Sequence, residues 1–142
     1  MHAPILQTRS RILLVEDEPS LALLLRYNIE AAGYTVDWVA DGALALGRLM
    51  ADPPHVAILD ISLPGLSGLE VLRQARVGSP AAWVPIIIVS GQTAMEERRY
   101  ALSLGVEAYL TKPFSLAELM EALSRTLRRR ENSVSSGAPA AL

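Results

Sequence analysis

Four apolar residues, Val56-Ala57-Ile58-Leu59, run straight into Asp60-Ile61, and Ser62-Leu63-Pro64-Gly65 then breaks the run. A short continuous apolar run bounded by turn residues reads as a strand buried on both faces, the signature of a parallel sheet covered by helices. It commits the chain to an α/β architecture and puts Asp60 where the strand surfaces, at its carboxyl end. In open α/β sheets that edge holds the ligands. A single Asp there serves equally well to cap or turn the chain, so its meaning depends on what the other strand ends carry.

Other segments repeat the pattern. Arg11 to Asp17 (RILLVED) is a second apolar run ending in acid. Pro19 suits a helix's first turn, and Leu21, Leu24, Leu25, Ile29 and Ala32 recur at helical spacing up to Gly33. Tyr34 to Ala40 is a strand, Asp41-Gly42 a turn, and Ala43 to Met50 a short helix stopped before Pro53-Pro54. After the Asp60 strand come a helix from Gly68 to Val77, a strand from Pro85 to Ser90, and a helix from about Thr93 to Leu104. Ala108 to Lys112 is the fifth strand. Ser115-Leu116-Ala117-Glu118 is a capping box opening a last helix striped with Leu116, Leu119, Met120, Leu123 and Leu127.

Five strands alternating with five helices over short connections predict a doubly wound α/β sheet. Residues 1–10 read as a flexible arm, 11–130 as the domain, and 131–142, ending SVSSGAPAAL, as a disordered tail. A chain of 142 residues supports one such core. Its 51% apolar content suits a doubly covered sheet, yet its apolar runs fall short of the roughly 18–20 residues that span a bilayer. Met1 to Arg11 carries no apolar signal segment, and there is no cysteine, so disulfide and thiolate chemistry are excluded. The cytoplasm is the expected compartment. A net charge of −2 argues against nucleic-acid binding through bulk electrostatics. Arg128-Arg129-Arg130 reads as a basic last turn complementing the helix dipole rather than as a phosphate contact.

Right-handed crossovers bring the carboxyl ends of all parallel strands to one edge. That edge collects Glu16 and Asp17, Asp60, Ser90 and Lys112. Two unit charges about 5 Å apart repel by roughly 3 kcal/mol at an effective dielectric near 20. Three carboxylates therefore raise one another's pKa or bind a cation, and a hard ion such as Mg²⁺ fits. The simpler alternative, that Glu16 and Asp17 only lend negative charge to a helix N-terminus, is weakened because Pro19 and Ser20 already start that helix well. Lys112, before Pro113, can pair with the acids or hold a phosphate oxygen as a point charge. Ser90 can donate to an anion, and Gly91 permits close backbone approach.

Glu16-Asp17 after RILLV, Asp60 followed by ISLPGLSGLEVL, Ser90-Gly91 after PIIIV, and Tyr109-Leu-Thr-Lys112-Pro113-Phe114 together resemble the receiver domain of two-component response regulators. The resemblance covers about residues 11–130. It implies a flavodoxin-like sheet in order 2-1-3-4-5, with Asp60 as phosphoacceptor from a sensor histidine kinase or phosphotransfer protein. Asp17, Asp60 and the carbonyl of Ser62 would bind Mg²⁺, Glu16 would support the metal through water, and Ser90 and Lys112 would hold the phosphoryl oxygens. Ser90 and Tyr109 would form the switch pair, while Ser62 and Gln92 occupy positions that tune hydrolysis. The chain would be not an enzyme but a phosphoacceptor that assists its own phosphorylation and dephosphorylation.

In style the chain is similar to receivers of winged-helix DNA-binding regulators, which dimerise through the helix 4–strand 5–helix 5 face. Arg98 and Glu118 are candidates for one such pair. Ala108 and Ala122 stand where the family usually has an acid and an arginine. A stand-alone switch signalling to a downstream protein, without direct nucleic-acid or membrane contact, is the leading reading; a receiver cut from a longer regulator is its variant. A Mg²⁺-dependent aspartyl-phosphate hydrolase is disfavoured by Ser62, where such enzymes usually carry an acid. A flavin module is disfavoured by Glu16-Asp17-Glu18, which would repel a phosphate.

Overall fold

A computed structural model describes residues 9–78, 80–91 and 95–135. Five parallel strands, β1 (Arg11–Val15), β2 (Thr35–Val39), β3 (Val56–Asp60), β4 (Ile86–Ser90) and β5 (Ala108–Thr111), form one sheet in the order β2-β1-β3-β4-β5. They alternate with α1 (Pro19–Ala31), α2 (Gly42–Ala51), α3 (Gly68–Arg76), α4 (Met95–Ser103) and α5 (Leu116–Ser135). The predicted doubly wound order is the one observed. The three central strands carry the apolar runs because helices cover both of their faces. Each such residue, fully buried, contributes about 1.5–3 kcal/mol.

Period-two alternation divides the core. Ile12, Leu14, Val56, Ile58, Ile87 and Val89 face α1 and α5. Leu13, Val15, Ala57, Leu59, Ile86 and Ile88 face the layer of α2, α3 and α4. Continued past the strand ends, the same parity puts Glu16, Asp60 and Lys112 on the α1/α5 side of the sheet, and Ser90 with Tyr109 on the other.

Local chemistry sets the helix starts. Asp41 caps α2 by accepting from the Leu44 N–H at 2.8 Å, and Ser67 caps α3 through the Glu70 N–H at 3.2 Å. At α5 the expected capping box is present in both directions: Ser115 Oγ accepts from Glu118 N–H, and Glu118 Oε1 from Ser115 N–H, each at 3.0 Å.

Two expectations are corrected. Gly42 is the first residue of α2, not part of a turn before it. Helix α5 continues to Ser135, past the boundary expected at 130, so Arg128–Arg130 is not its last turn. Those arginines are held from the side. Arg129 pairs with Glu107 at 2.6 Å, Arg128 with Glu121 at 3.8 Å, and the Arg130 guanidinium lies 4.6 Å from the Trp83 ring centroid. The arm before residue 9, the tail beyond 135 and Gln92 lie outside the described residues.

At the opposite edge from Asp60, His55 Nδ1 accepts the Arg11 N–H at 2.8 Å, and the His55 carbonyl faces the Arg130 guanidinium. Burial, reinforced by the charges of Arg130 and Arg11, lowers the His55 pKa below its ordinary 6.5. The unfolded chain therefore takes up this proton first as the pH falls. His55 stabilises the fold above pH 6.5, and that contribution is lost as the pH drops through the folded-state value. The melting temperature is expected to fall between pH 7.5 and 5, and less steeply in His55→Asn, whose side-chain oxygen still accepts from Arg11. Identical pH profiles for the two proteins would refute this.

Candidate functional site

The edge at the carboxyl ends of β1, β3 and β5 joins two buried acids to one amine. Lys112 Nζ lies 2.8 Å from Asp60 Oδ2 and 3.1 Å from Glu16 Oε1. The Glu16 and Asp60 side chains are 1% and 3% exposed, and that of Lys112 is 25% exposed. Burying an ion costs several kcal/mol unless partners replace its water. Here they do. Glu16 also accepts from the Glu18 N–H at 3.1 Å, and Asp60 Oδ1 from the Ser62 N–H at 3.0 Å. Since Glu18 is the N-cap of α1, Glu16 meets the helix start as well as the amine.

Burial pushes the Glu16 carboxyl above its ordinary range, and the Asp60 charge adds to the rise, while the Glu18 N–H and Lys112 oppose it. Burial alone would lower Lys112, but the bonds and charges of Asp60 and Glu16 outweigh it and hold the ammonium above its ordinary value. Asp17 is the exposed member of the acid trio. One carboxylate oxygen from each of Glu16, Asp17 and Asp60 can be chosen so that all lie within 4.8 Å of one another. Three carboxylates against one ammonium leave negative charge in excess. That donor set, all hard oxygen and open to solvent at Asp17, fits a divalent cation such as Mg²⁺.

The remaining expected residues fall at the same edge. Ser90 ends β4, is 1% exposed, and its carbonyl accepts the Lys112 N–H at 2.6 Å. Open space lies where a Gly91 Cβ would stand. Ser62 is exposed and meets Asp60 through its backbone N–H. The Lys112–Pro113 peptide is cis. Tyr109 packs against the core beneath α2, α3 and α4, and its hydroxyl is buried without a hydrogen-bond partner among the described residues.

Several contacts escaped the sequence reading. The Arg98 guanidinium stacks 4.9 Å from the Tyr109 ring centroid, and Glu118 is engaged in the α5 capping box, so within one chain each member of the expected dimer pair has an internal partner. Ala122 is buried in the core under α5. The Trp38 indole N–H donates to the Glu16 carbonyl at 2.8 Å. Arg76 donates to the carbonyls of Leu104, Gly105, Ala82 and Val84, tying the end of α3 to the end of α4. Apart from the capping box, which the sequence itself shows, no signal short of the register points to these contacts, because each depends on how separate segments of the chain pack.

Comparison with known proteins agrees with the geometry. The family model for the response regulator receiver domain matches residues 12–124. The chain is 41% identical over 126 residues to the phosphate regulon transcriptional regulatory protein PhoB of Rhizobium meliloti, covering 89% of this chain and 56% of that protein. It is 41% identical over 120 residues to the transcriptional regulatory protein TcrA of Mycobacterium tuberculosis (strain H37Rv), covering 84% and 46%. The chain thus spans about half the length of these curated relatives. Among solved structures, a CheY-like receiver domain protein from Methanospirillum hungatei superposes with a TM-score of 0.82 at 27% identity, covering 88% of this chain and 98% of that one. The receiver domain of sensor histidine kinase PA1611 from Pseudomonas aeruginosa has a magnesium ion in its active-site cleft; it matches with a TM-score of 0.74 at 33% identity, covering 82% and 96%. Strand order, acid trio and these relatives agree: the chain belongs to the response regulator receiver domain family of two-component systems.

Proposed function

We propose that the chain is a phosphorylation switch that accepts a phosphoryl group on Asp60 from the phosphohistidine of a sensor histidine kinase or phosphotransfer protein. The observation that carries this reading is the Lys112 ammonium bridging buried Glu16 and Asp60 beside exposed Asp17. An Asp60 oxygen attacks phosphorus in line, the P–N bond to the donor breaks, and an aspartyl phosphate forms. Lys112 moves from carboxylate to phosphoryl oxygen as charge develops there, and Ser90 supplies a hydroxyl donor with the Gly91 backbone beside it. Glu16, Asp17, Asp60 and the Ser62 carbonyl would hold Mg²⁺, which when bound neutralises phosphoryl charge. The chain assists its own phosphorylation and later hydrolysis without turning over a separate substrate.

The added −1.5 to −2 charge, roughly, biases a two-state equilibrium at Ser90 and Tyr109. Arg98 stacked on Tyr109 links that pair to α4, whose single buried residue is Ala101. The α4–β5–α5 face then contacts a downstream protein or a second copy. No described helix is long and apolar enough to cross a membrane, and we place the switch in the cytoplasm. A second reading makes it the receiver part of a longer DNA-binding regulator, which the half-length match to transcriptional regulators supports. The downstream reading frame discriminates the two.

Acetyl phosphate with Mg²⁺ is expected to add one phosphoryl group, seen by intact mass and mapped to the peptide carrying Asp60. A group elsewhere, or many phosphomonoester turnovers per minute, would overturn the assignment. Lys112→Met is expected to slow labelling by about 10²-fold, the scale of losing one preorganised charge donor. It also leaves two buried carboxylates unpaired, so Mg²⁺ should raise its melting temperature more than it raises the wild type's. An unchanged labelling rate would remove Lys112 from the role.

A further inference from the structure

We infer that Trp38 is a positioning residue for the acidic pair, acting through the peptide that joins Glu16 to Asp17. The inference rests on the cation reading above and adds to it a residue of the edge strand β2. Strands β1 and β2 run in parallel register, with Leu14 opposite Trp38 and Val15 opposite Val39. The ladder continues one residue past β1, where the Glu16 N–H donates to the Val39 carbonyl at 3.1 Å. In a parallel ladder the next bond would bring a strand N–H from two residues beyond Val39 to the Glu16 carbonyl. That residue is Asp41, which instead caps α2. The Trp38 Nε1–H, 2.8 Å from the Glu16 carbonyl oxygen, stands in for the missing strand donor.

The indole is well placed to hold that bond. Trp38 packs against the core beneath α1 and α5 with Val36 and the Ile12 and Leu14 side chains. Since a peptide unit is planar, a bond to the Glu16 carbonyl fixes the orientation of the whole Glu16–Asp17 plane. Glu16 needs little further help, because its carboxylate is held by Lys112 and the Glu18 N–H. Asp17 is exposed, and the direction in which it leaves β1 is set by that plane. Trp38 therefore orients the outermost acid of the trio through the backbone, by its bond to the Glu16 carbonyl. Such outer partners typically change metal affinity by about 10–100-fold when removed.

The sequence has two tryptophans, Trp38 and Trp83, so ¹⁵N-labelled protein gives two indole resonances, and Trp38→Phe assigns them by deletion. Titration with Mg²⁺ is expected to shift the Trp38 indole and leave Trp83, at the far edge over Arg130, in place. Trp38→Phe keeps an aromatic ring but no N–H, and is expected to weaken Mg²⁺ binding about tenfold by calorimetry. Val36→Ala, on the same strand and face, is expected to lower the melting temperature while keeping the wild-type Mg²⁺ affinity. Wild-type affinity in Trp38→Phe, an unmoved Trp38 indole, or an equal loss in Val36→Ala would each overturn the inference while leaving the cation site intact. Wild-type protein that binds no Mg²⁺ would overturn the cation reading, and this inference with it.

Discussion

Asp60→Asn is expected to abolish labelling by acetyl phosphate while leaving the protein folded and, without Mg²⁺, no less stable than wild type. The two halves of this expectation have one cause. Asn matches Asp in shape, and its side-chain oxygen still accepts the Ser62 N–H that bonds Asp60 Oδ1 at 3.0 Å. What is lost is the charge and the nucleophilic oxygen. Metal-free, the trio sets three carboxylates against the single Lys112 ammonium. Removing the Asp60 charge costs Lys112 one partner but leaves it on Glu16. It relieves repulsion with both Glu16 and Asp17, each roughly 3 kcal/mol at about 5 Å and an effective dielectric near 20, together with the cost of burying the Asp60 charge. With one acid gone the cation loses a ligand, so the rise in melting temperature on adding Mg²⁺ should shrink. Intact mass after acetyl phosphate reads the chemistry, and thermal melts with and without Mg²⁺ read the electrostatics. Residual labelling would move the phosphoacceptor elsewhere. A large fall in metal-free stability would show that Asp60 serves the fold more than the chemistry.

That these acids meet was legible in the sequence for a physical reason. A strand buried on both faces has almost no alternative to the centre of a parallel sheet, and RILLVED, VAILDI and PIIIVS each state it in consecutive apolar residues. Once the strands are parallel, their ends share an edge, and Glu16, Asp60, Ser90 and Lys112 follow. Pattern also located the α5 capping box, since its bonds lie within four residues. Polar composition misjudged the end of α5: the turns around Arg128–Arg130 are anchored by Glu107 and Trp83, neither adjacent in the chain. The resemblance marks Tyr109 as one of a switch pair, but nothing in the pattern shows that its hydroxyl is buried and its ring lies under Arg98 of α4. Side-chain contacts between elements depend on register and rotamer together, and apolar periodicity encodes neither.

Gly68 carries a steric constraint that its place at a predicted helix start did not reveal, and Gly68→Ala is expected to destabilise the protein by at least about 3 kcal/mol, the upper range for overpacking. The first residue of α3 returns onto the end of β3, where its N–H donates to the Ile61 carbonyl at 2.8 Å. A Cβ there would stand 2.0 Å from the Asp60 carbonyl oxygen and 2.7 Å from the Ile61 Cα. Both are backbone atoms of the strand end that carries the phosphoacceptor, so no rotamer can relieve the clash. Either α3 lifts, exposing Val71, Leu72 and Ala75 from the core, or the end of β3 shifts and takes Asp60 off Lys112. The first route lowers stability and the second slows phosphorylation; denaturant unfolding and the labelling rate separate them. Gly47→Ala is the internal control. Gly47 is an exposed interior residue of α2 with nothing within 4 Å of a built Cβ. That substitution should gain about 0.5–1 kcal/mol from helix propensity and leave labelling unchanged. If Gly68→Ala were as benign as Gly47→Ala, the close seating of α3 on the phosphoacceptor strand would be wrong.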